Sequence, residues 1–235
     1  MTADPNDATD YDDCGFDISH NNSGLDFPLL GTGGGRKYCI AKVSEGTTFP
    51  DPQFANFIGA ATSSSIQRFG AYHFGHHGDP IGQMQYFIQT FKNAAATIAD
   101  APNFLFMLDL ENGANPPQET DGLTMVQYLQ SLGINPIIYC GLGFWSQSYP
   151  ELASCPHLLA AYNNNPVSAV PWRIPSADTY GWDMWQYTDG RLGPWAKTIP
   201  GGSNPMDLSC FNLKKHPEGL ETWWDAQLAK TNQPT

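Results

Sequence analysis

Eight short apolar runs punctuate the chain, and helical patterns separate several of them. The runs are Gly15–Ser19 (GFDIS), Tyr38–Val43 (YCIAKV), Arg68–Phe74 (RFGAYHF), Phe104–Leu110 (FLFMLDL), Pro136–Cys140 (PIIYC), His157–Tyr162 (HLLAAY), Asp183–Tyr187 (DMWQY) and Met206–Phe211 (MDLSCF). Continuous apolar strands that alternate with helices predict a parallel sheet covered by helices, because both faces of such strands must be buried. Between Pro80 and Ala99 the residues Ile81, Met84, Ile88, Phe91 and Ile98 recur near the helical period. Between Asp121 and Leu132 a stripe of Leu123, Val126, Leu129 and Leu132 follows Asp121, a candidate N-cap. Pro52–Ala61 and Leu142–Ser148 are shorter helix candidates. Eight strands predict a compact (β/α)8-type barrel, an α/β fold, whose last three connections lack long helices. An open doubly wound sheet is the alternative. The glycine run Gly31–Gly35 (GTGGG) precedes a strand instead of following one, so it reads as a flexible loop and not as a phosphate cradle.

The chain of 235 residues is long enough for one domain with a full core. Residues 1–13 (MTADPNDATDYDD) are expected to be a disordered acidic tail. Residues 14–212 form the barrel unit, and 213–235 a short terminal helix with a frayed end near it. The amino-terminal segment has neither the basic nor the apolar region of a signal peptide, which predicts synthesis in the cytoplasm. No stretch approaches the roughly 20 apolar residues of a membrane span. Five scattered cysteines (Cys14, Cys39, Cys140, Cys155, Cys210) show no zinc-ligand spacing. Reduced, buried thiols are the simplest reading, and one or two disulfides the rival.

Charge narrows the range of partners. The formal net charge is −12, which argues against nucleic acid and anionic lipid, since both need clustered Lys and Arg. Charged residues make up only 14%, so the surface relies on amides, hydroxyls and aromatic edges, a composition suited to a sugar ligand.

The most informative motif is Leu108-Asp109-Leu110-Glu111. Two carboxylates two residues apart on a strand share a face, with Cα atoms about 6.6 Å apart. They close the apolar run FLFMLDLE, where ionised groups are costly unless paired or in use. Close carboxylates push their pKa values apart, leaving one protonated and one ionised. Glycoside hydrolysis needs that pair: an acid for the leaving oxygen and an anion for the oxocarbenium-like centre. A strand-end pair tied to an arginine or to backbone amides is the bland alternative. Other acids sit at the ends of runs: Asp17, Glu45 and Asp207. In a parallel barrel these converge on one rim, where such folds place active sites. Tyr72, His73, Tyr139, Tyr162 and Trp185-Gln186-Tyr187 fall at matching places. An acidic, aromatic rim suits a saccharide groove.

These pieces, in this order, resemble glycoside hydrolase family 25, the Chalaropsis-type lysozymes (N-acetylmuramidases) that include many phage endolysins. The resemblance runs from about Gly15 to Asn212 through GFDISHNN, IAKVSEG, GAYHF, LDLE, IIYCG, AAYNNNP and WQYTDGRLGPWAKTIPGGSNPMDLSCF. It implies a flattened barrel with eight strands and fewer than eight helices. It also implies hydrolysis of the β-1,4 bond between N-acetylmuramic acid and N-acetylglucosamine in peptidoglycan. Glu111 then matches the general acid, and Asp109 the carboxylate that orients the substrate acetamido group or stabilises charge. Asp17 and Asp207 match two further active-site aspartates, and Tyr72, Tyr139 and Trp185 match positions near the sugar. Lys42 and Glu45 match a supporting inner pair. Retention is the preferred stereochemistry, no cofactor is implied, and a monomer is expected. Without a signal peptide, release as a phage endolysin onto the bacterial wall is the expected route. The chain departs from the family in Leu158-Leu159, where an aromatic residue is usual, and in the histidine-rich loop GHHGDP.

Three rival readings remain. One is a wall-binding module on the same fold, against which the retention of both Asp109 and Glu111 counts. Another is a glycosidase acting on a different N-acetylated glycan such as chitin. The third is a metal-dependent hydrolase using His73, His76, His77 and Asp79; those residues lack a metal-ligand framework, so a solvated loop and no metal are expected.

Overall fold

The structure is a computed structural model that describes residues 10–111, 113–141, 149–162, 181–190, 199–203 and 205–234. The helix candidate at 142–148 and the motif segments at 163–166 and 191–198 lie outside the described residues.

All eight apolar runs form strands: β1 (Tyr11–Ile18), β2 (Tyr38–Glu45), β4 (Arg68–Phe74), β5 (Phe104–Asp109), β6 (Ile137–Gly141), β7 (His157–Ala160), β8 (Met184–Thr188) and β9 (Asp207–Asn212). A two-residue strand, β3 (Phe49–Pro50), folds back on β2 as a hairpin. The order β1-β9-β8-β7-β6-β5-β4-β2 closes through a parallel β1–β2 pairing. The sheet is therefore a closed eight-stranded barrel and not an open doubly wound sheet. It is mixed, where an all-parallel sheet was expected. β9 runs antiparallel to both β1 and β8. This reversal puts Asp207, the first residue of its strand, opposite Asp17, near the end of β1. A strand-start acid thus reaches the rim formed by the strand ends.

Six helices cover the barrel among the described residues: α1 (Phe27–Thr32), α2 (Phe54–Ala61), α3 (Pro80–Ala95), α4 (Glu119–Ser131), α5 (Pro150–Ser154) and α6 (Leu220–Leu228). α3 starts where Asp79 accepts from the Gly82 amide and Pro80 fixes the first turn. It buries Met84, Phe87 and Phe91 while Ile81 stays exposed. α4 starts two residues before the expected cap. Its N-cap is Gln118, and Asp121 closes a capping box from the third helical position. Gly31 and Thr32 belong to α1, and Gly34 packs against the backbone at Pro200, so the expected loop is partly helical and held.

Two clusters form the core, one between barrel and helices and one inside the barrel. The inner cluster stacks Tyr38, Ile40, Leu105, Met107, Ile137, Leu158 and Met184. Gly15 makes room for it. A Cβ there would lie 1.8 Å from the Tyr38 ring, and the Tyr38 hydroxyl crosses to Ser209 at 2.7 Å. The end of the barrel away from the strand termini is plugged by Leu220, Trp223 and Trp224 of α6. Trp224 lies 5.3 Å from Tyr38 and Trp223 5.4 Å from Phe211, centroid to centroid. Each such burial stabilises by roughly 1.5–3 kcal/mol.

Both terminal expectations need correction. Tyr11, Asp12 and Asp13, expected in a disordered tail, pair with Asn212, Phe211 and Cys210. Asp13 is held by Arg36 at 2.7 Å and by the Tyr187 hydroxyl at 3.0 Å, so acidity there serves pairing and not solvation. The stretch after α6 is tied instead of frayed: Gln233 bonds both backbone groups of Phe104, and the Asn232 amide donates to Gly133. All five cysteines are buried free thiols, as expected.

Candidate active site

The strand ends gather Asp17, Lys42, Tyr72, Asp109 and Tyr139 on the inner face of the barrel: Lys42 pairs with Tyr72 and Asp109 with Tyr139, and Asp109 stands two residues beyond the Tyr72 partner on β5. Asp17 follows from β1, opposite Asp207. Glu111 continues the inward side two residues beyond Asp109. Asp17 is 8% exposed and Asp109 6%, while Glu111 is half-buried.

Burial and neighbouring carboxylates act on the carboxyl groups of this mouth. Burial pushes Asp109 well above the usual carboxylate range, and Glu111, Asp17 and Asp207 add to it. Burial likewise lifts Asp17 to about 7, with Glu111 adding and a bond from Gln186 opposing. Glu111 is raised by partial burial, against the opposing charge of Lys42. The cluster therefore holds protons near neutral pH, as the close spacing predicts. Asp109 Oδ1 is buried with no hydrogen-bond partner among the described residues.

A hydrogen-bonded chain frames this cluster. The Tyr162 and Tyr139 hydroxyls lie 3.3 Å apart, Tyr139 donates to Gln186 Oε1 at 2.7 Å, and Gln186 Nε2 donates to Asp17 Oδ2 at 2.8 Å. Tyr162 is 40% exposed at its outer end, an aromatic face open to a ligand. On the other side Lys42 bonds Glu45. A bulge between Lys42 and Ser44 re-aims the strand so that these residues, three apart, can meet.

Two expected site residues face away. Trp185 lies on the outer side of the barrel, fully buried against Tyr11, Trp182 and Tyr187, and donates to the Ala161 carbonyl. Neighbours on a strand point oppositely, so Gln186 takes the inward position that its aromatic neighbour was expected to fill. Alternation alone could have found it. His73 is excluded from the mouth for the same reason, since Tyr72 points in. His73 is fully buried, bonded to Ser44 at 2.9 Å and Gln83 at 3.3 Å, and burial lowers it to about 4. Leu158 points into the barrel as part of the inner core, which accounts for an apolar residue there.

The loop after β4 is not simply solvated. His76 bonds Glu45, and His77 bonds Asp121 at 2.7 Å. Asn115 accepts from the His77 amide and donates to its carbonyl. Each histidine faces a carboxylate or a carbonyl, and among the described residues no group of three or more His, Cys, Asp or Glu is placed to hold a metal. A cavity of about 540 Å³ opens here, walled by Glu45, Thr48, Phe49, His76, Asp79 and Asn115 among others.

The family model for glycosyl hydrolases family 25 matches residues 16–193. The chain belongs to this family. An N,O-diacetylmuramidase from a Chalaropsis species is 30% identical over 226 residues, covering 87% of this chain and 99% of that protein. A muramidase structure from Trichobolus zukalii superposes with a TM-score of 0.65 at 28% identity, covering 92% of this chain and 99% of that one. A family 25 lysozyme from Aspergillus fumigatus shares the fold at 24% identity and a TM-score of 0.64, covering 93% and 98%. As a family 25 member the protein is a glycoside hydrolase of the lysozyme type, and the eight-stranded barrel with few helices is the fold that the resemblance implied.

Proposed function

We propose that this family 25 enzyme is a 1,4-β-N-acetylmuramidase that cuts the bond between N-acetylmuramic acid and N-acetylglucosamine in peptidoglycan. The observation that carries the reading is the Asp109–Glu111 pair, set with Asp17 and Asp207 in one barrel mouth and raised by burial, with neighbouring carboxylates adding at Asp109 and Asp17. Glu111 is the more open of the pair and so the one that meets a leaving oxygen. A glycan laid over the rim strips water from Glu111 and raises it further, toward the proton it must donate. Asp109, at the floor, holds the acetamido group of the muramic acid or stabilises the charge that develops on the sugar. Water then completes the hydrolysis with Glu111 as base, with retention. Asp17, Tyr72, Tyr139, Tyr162 and Gln186 hold the sugar or the carboxylates, and Lys42 moderates their charge.

The name of the Chalaropsis relative supports this specificity. The place of action follows from the substrate: glycan strands of the bacterial wall, met by a monomer after release as an endolysin or after export. Mass spectrometry of fragments from purified peptidoglycan, after borohydride reduction, tests the bond cut. Reduced N-acetylmuramic acid at the new ends is expected. Reduced N-acetylglucosamine would keep the hydrolase and overturn the specificity, and release from chitin alone would move the substrate.

A further inference from the structure

Lys42 is the cation set against the Asp109 and Glu111 charges, and its own contacts hold it to one side. Its ammonium bonds Glu45 and lies 4.8 Å from the Phe74 ring centroid and 5.8 Å from that of Phe49. It does not satisfy Asp109 Oδ1, which has no hydrogen-bond partner among the described residues. A buried carboxylate oxygen and an ammonium that do not meet imply that something restrains the ammonium. The restraint is Glu45, and Glu45 is itself held. His76 Nε2 lies 3.0 Å from Glu45 Oε1, so this nitrogen donates to the carboxylate. The His76 ring meets Phe74 edge-on at 5.4 Å. Its backbone is fixed separately, by Gln83, which accepts from the His76 amide and donates to its carbonyl, both at 2.8 Å.

We propose that His76 is a positioning residue for the carboxylate centre: by anchoring Glu45 it keeps the Lys42 ammonium from closing onto Asp109. The proposal rests on Asp109 and Glu111 being the hydrolytic pair. Its logic is electrostatic. An ammonium in contact with a carboxylate favours the ionised form; one held back leaves the proton in place. Burial alone would raise Glu45, but its bonds to Lys42 and His76 outweigh burial and hold it ionised, so it keeps its grip on Lys42. The charged and titratable groups around this path come from every neighbouring element. They are Asp17 from β1, Glu45 from β2, Asp51 after β3, and Tyr72, His73 and His76 from β4 and its loop. Asp109 and Glu111 follow from β5, and Asp207 from β9. Among these only His76 touches Glu45 from outside its own strand, and it does so from the wall of the 540 Å³ cavity.

The test is the pH–rate profile for peptidoglycan hydrolysis by His76→Leu, His76→Gln and Glu45→Gln, alongside Glu111→Gln. His76→Leu removes the donor, and His76→Gln keeps an N–H of similar reach. Asp109 and Glu111 titrate as a pair, and an ammonium closing onto the pair favours its ionised form, so the proposal expects the basic limb of the kcat profile to move toward acid by about one pH unit in His76→Leu. At pH 7 kcat falls about tenfold with KM little changed, and His76→Gln recovers most of the loss. Glu45→Gln, which frees Lys42 by another cut on the same path, shifts the limb the same way, and the double variant adds little to either single change. An unmoved limb in His76→Leu overturns the proposal, as does an equal loss in His76→Gln. Glu111→Gln separates the two levels. If it retains lysis, the hydrolytic assignment has failed; if it is inactive while the His76→Leu profile is unmoved, only the role of His76 has.

Discussion

Asp109 and Asp183 lie at opposite ends of one barrel, and water reaches them almost equally little, at 6% and 5% exposure. Their surroundings diverge. Asp183 Oδ1 accepts from His216 at 2.6 Å and from Lys215 at 2.7 Å, and Oδ2 accepts from the His157 amide at 2.7 Å. Burial alone would raise that carboxyl; these partners outweigh burial and hold it below the usual range. Asp109 has an oxygen with no partner among the described residues, three acidic neighbours and one restrained lysine, and it is pushed far up. The same residue type at the same depth thus closes the barrel at one end and is held in an unfavourable state at the other. The carboxylate that folds the chain is surrounded by donors; under the proposed function, the carboxylates that work are surrounded by each other.

The largest expected effect is at the working end. Glu111→Gln lowers the rate of peptidoglycan hydrolysis by roughly 10²–10⁴-fold with an unchanged thermal midpoint; a rate within tenfold of the parent would break the comparison. At the closed end, Trp224→Ala opens the plug against Tyr38 and costs about 3–5 kcal/mol, read as a drop of roughly 10 °C in the midpoint. A variant that melts with the parent would show that α6 is dispensable. Asp183→Ala leaves His216 and the His157 amide without their acceptor and costs about 3 kcal/mol, while kcat per folded molecule stays the same.

The pH dependence of stability sharpens the contrast, because the two ends have opposite signs. The folded value of Asp183 is depressed, so its contribution is present above the unfolded value and lost as pH falls through the folded one. The gap between Asp183→Ala and the parent in denaturant titrations therefore holds down to about pH 4 and narrows progressively below it. The folded value of Asp17 is raised to about 7, so its ionisation destabilises the fold above that value and costs nothing once pH is below the unfolded one. Asp17→Asn is then the more stable form at pH 8, by up to about 4 kcal/mol, and the gain disappears near pH 4. A gain that is constant across pH would mean that Asp17 is not held in an unfavourable charge state.

Much of this was legible in the chain itself. Continuous apolar runs set between helical patterns located all eight barrel strands, because strands buried on both faces are apolar throughout. The pair Asp109 and Glu111 stood out because charge is costly at the end of such a run. The reversal of β9 was hidden, since strand direction leaves no mark on an apolar run; only the strand-start position of Asp207 hinted at it. Trp185 and His73 were misplaced for one reason. With both faces of a barrel strand buried, hydrophobicity does not say which face is inward, and the aromatic residue can belong to the outer core as well as to the groove. Gln186, the residue that does face in, carries no signal beyond its parity. The plug by Trp223 and Trp224 and the clamp on Asp183 depend on contacts between distant segments, which no local pattern records.

The most direct test is Asp109→Asn, with peptidoglycan hydrolysis and thermal midpoint measured on the same preparation at pH 7. The account predicts a rate at least a hundredfold lower together with a midpoint several degrees higher, because Asp109 must take up a proton or bury a charge on folding and an asparagine does neither. A lower midpoint with the rate preserved would contradict it, placing Asp109 among the carboxylates that hold the fold together.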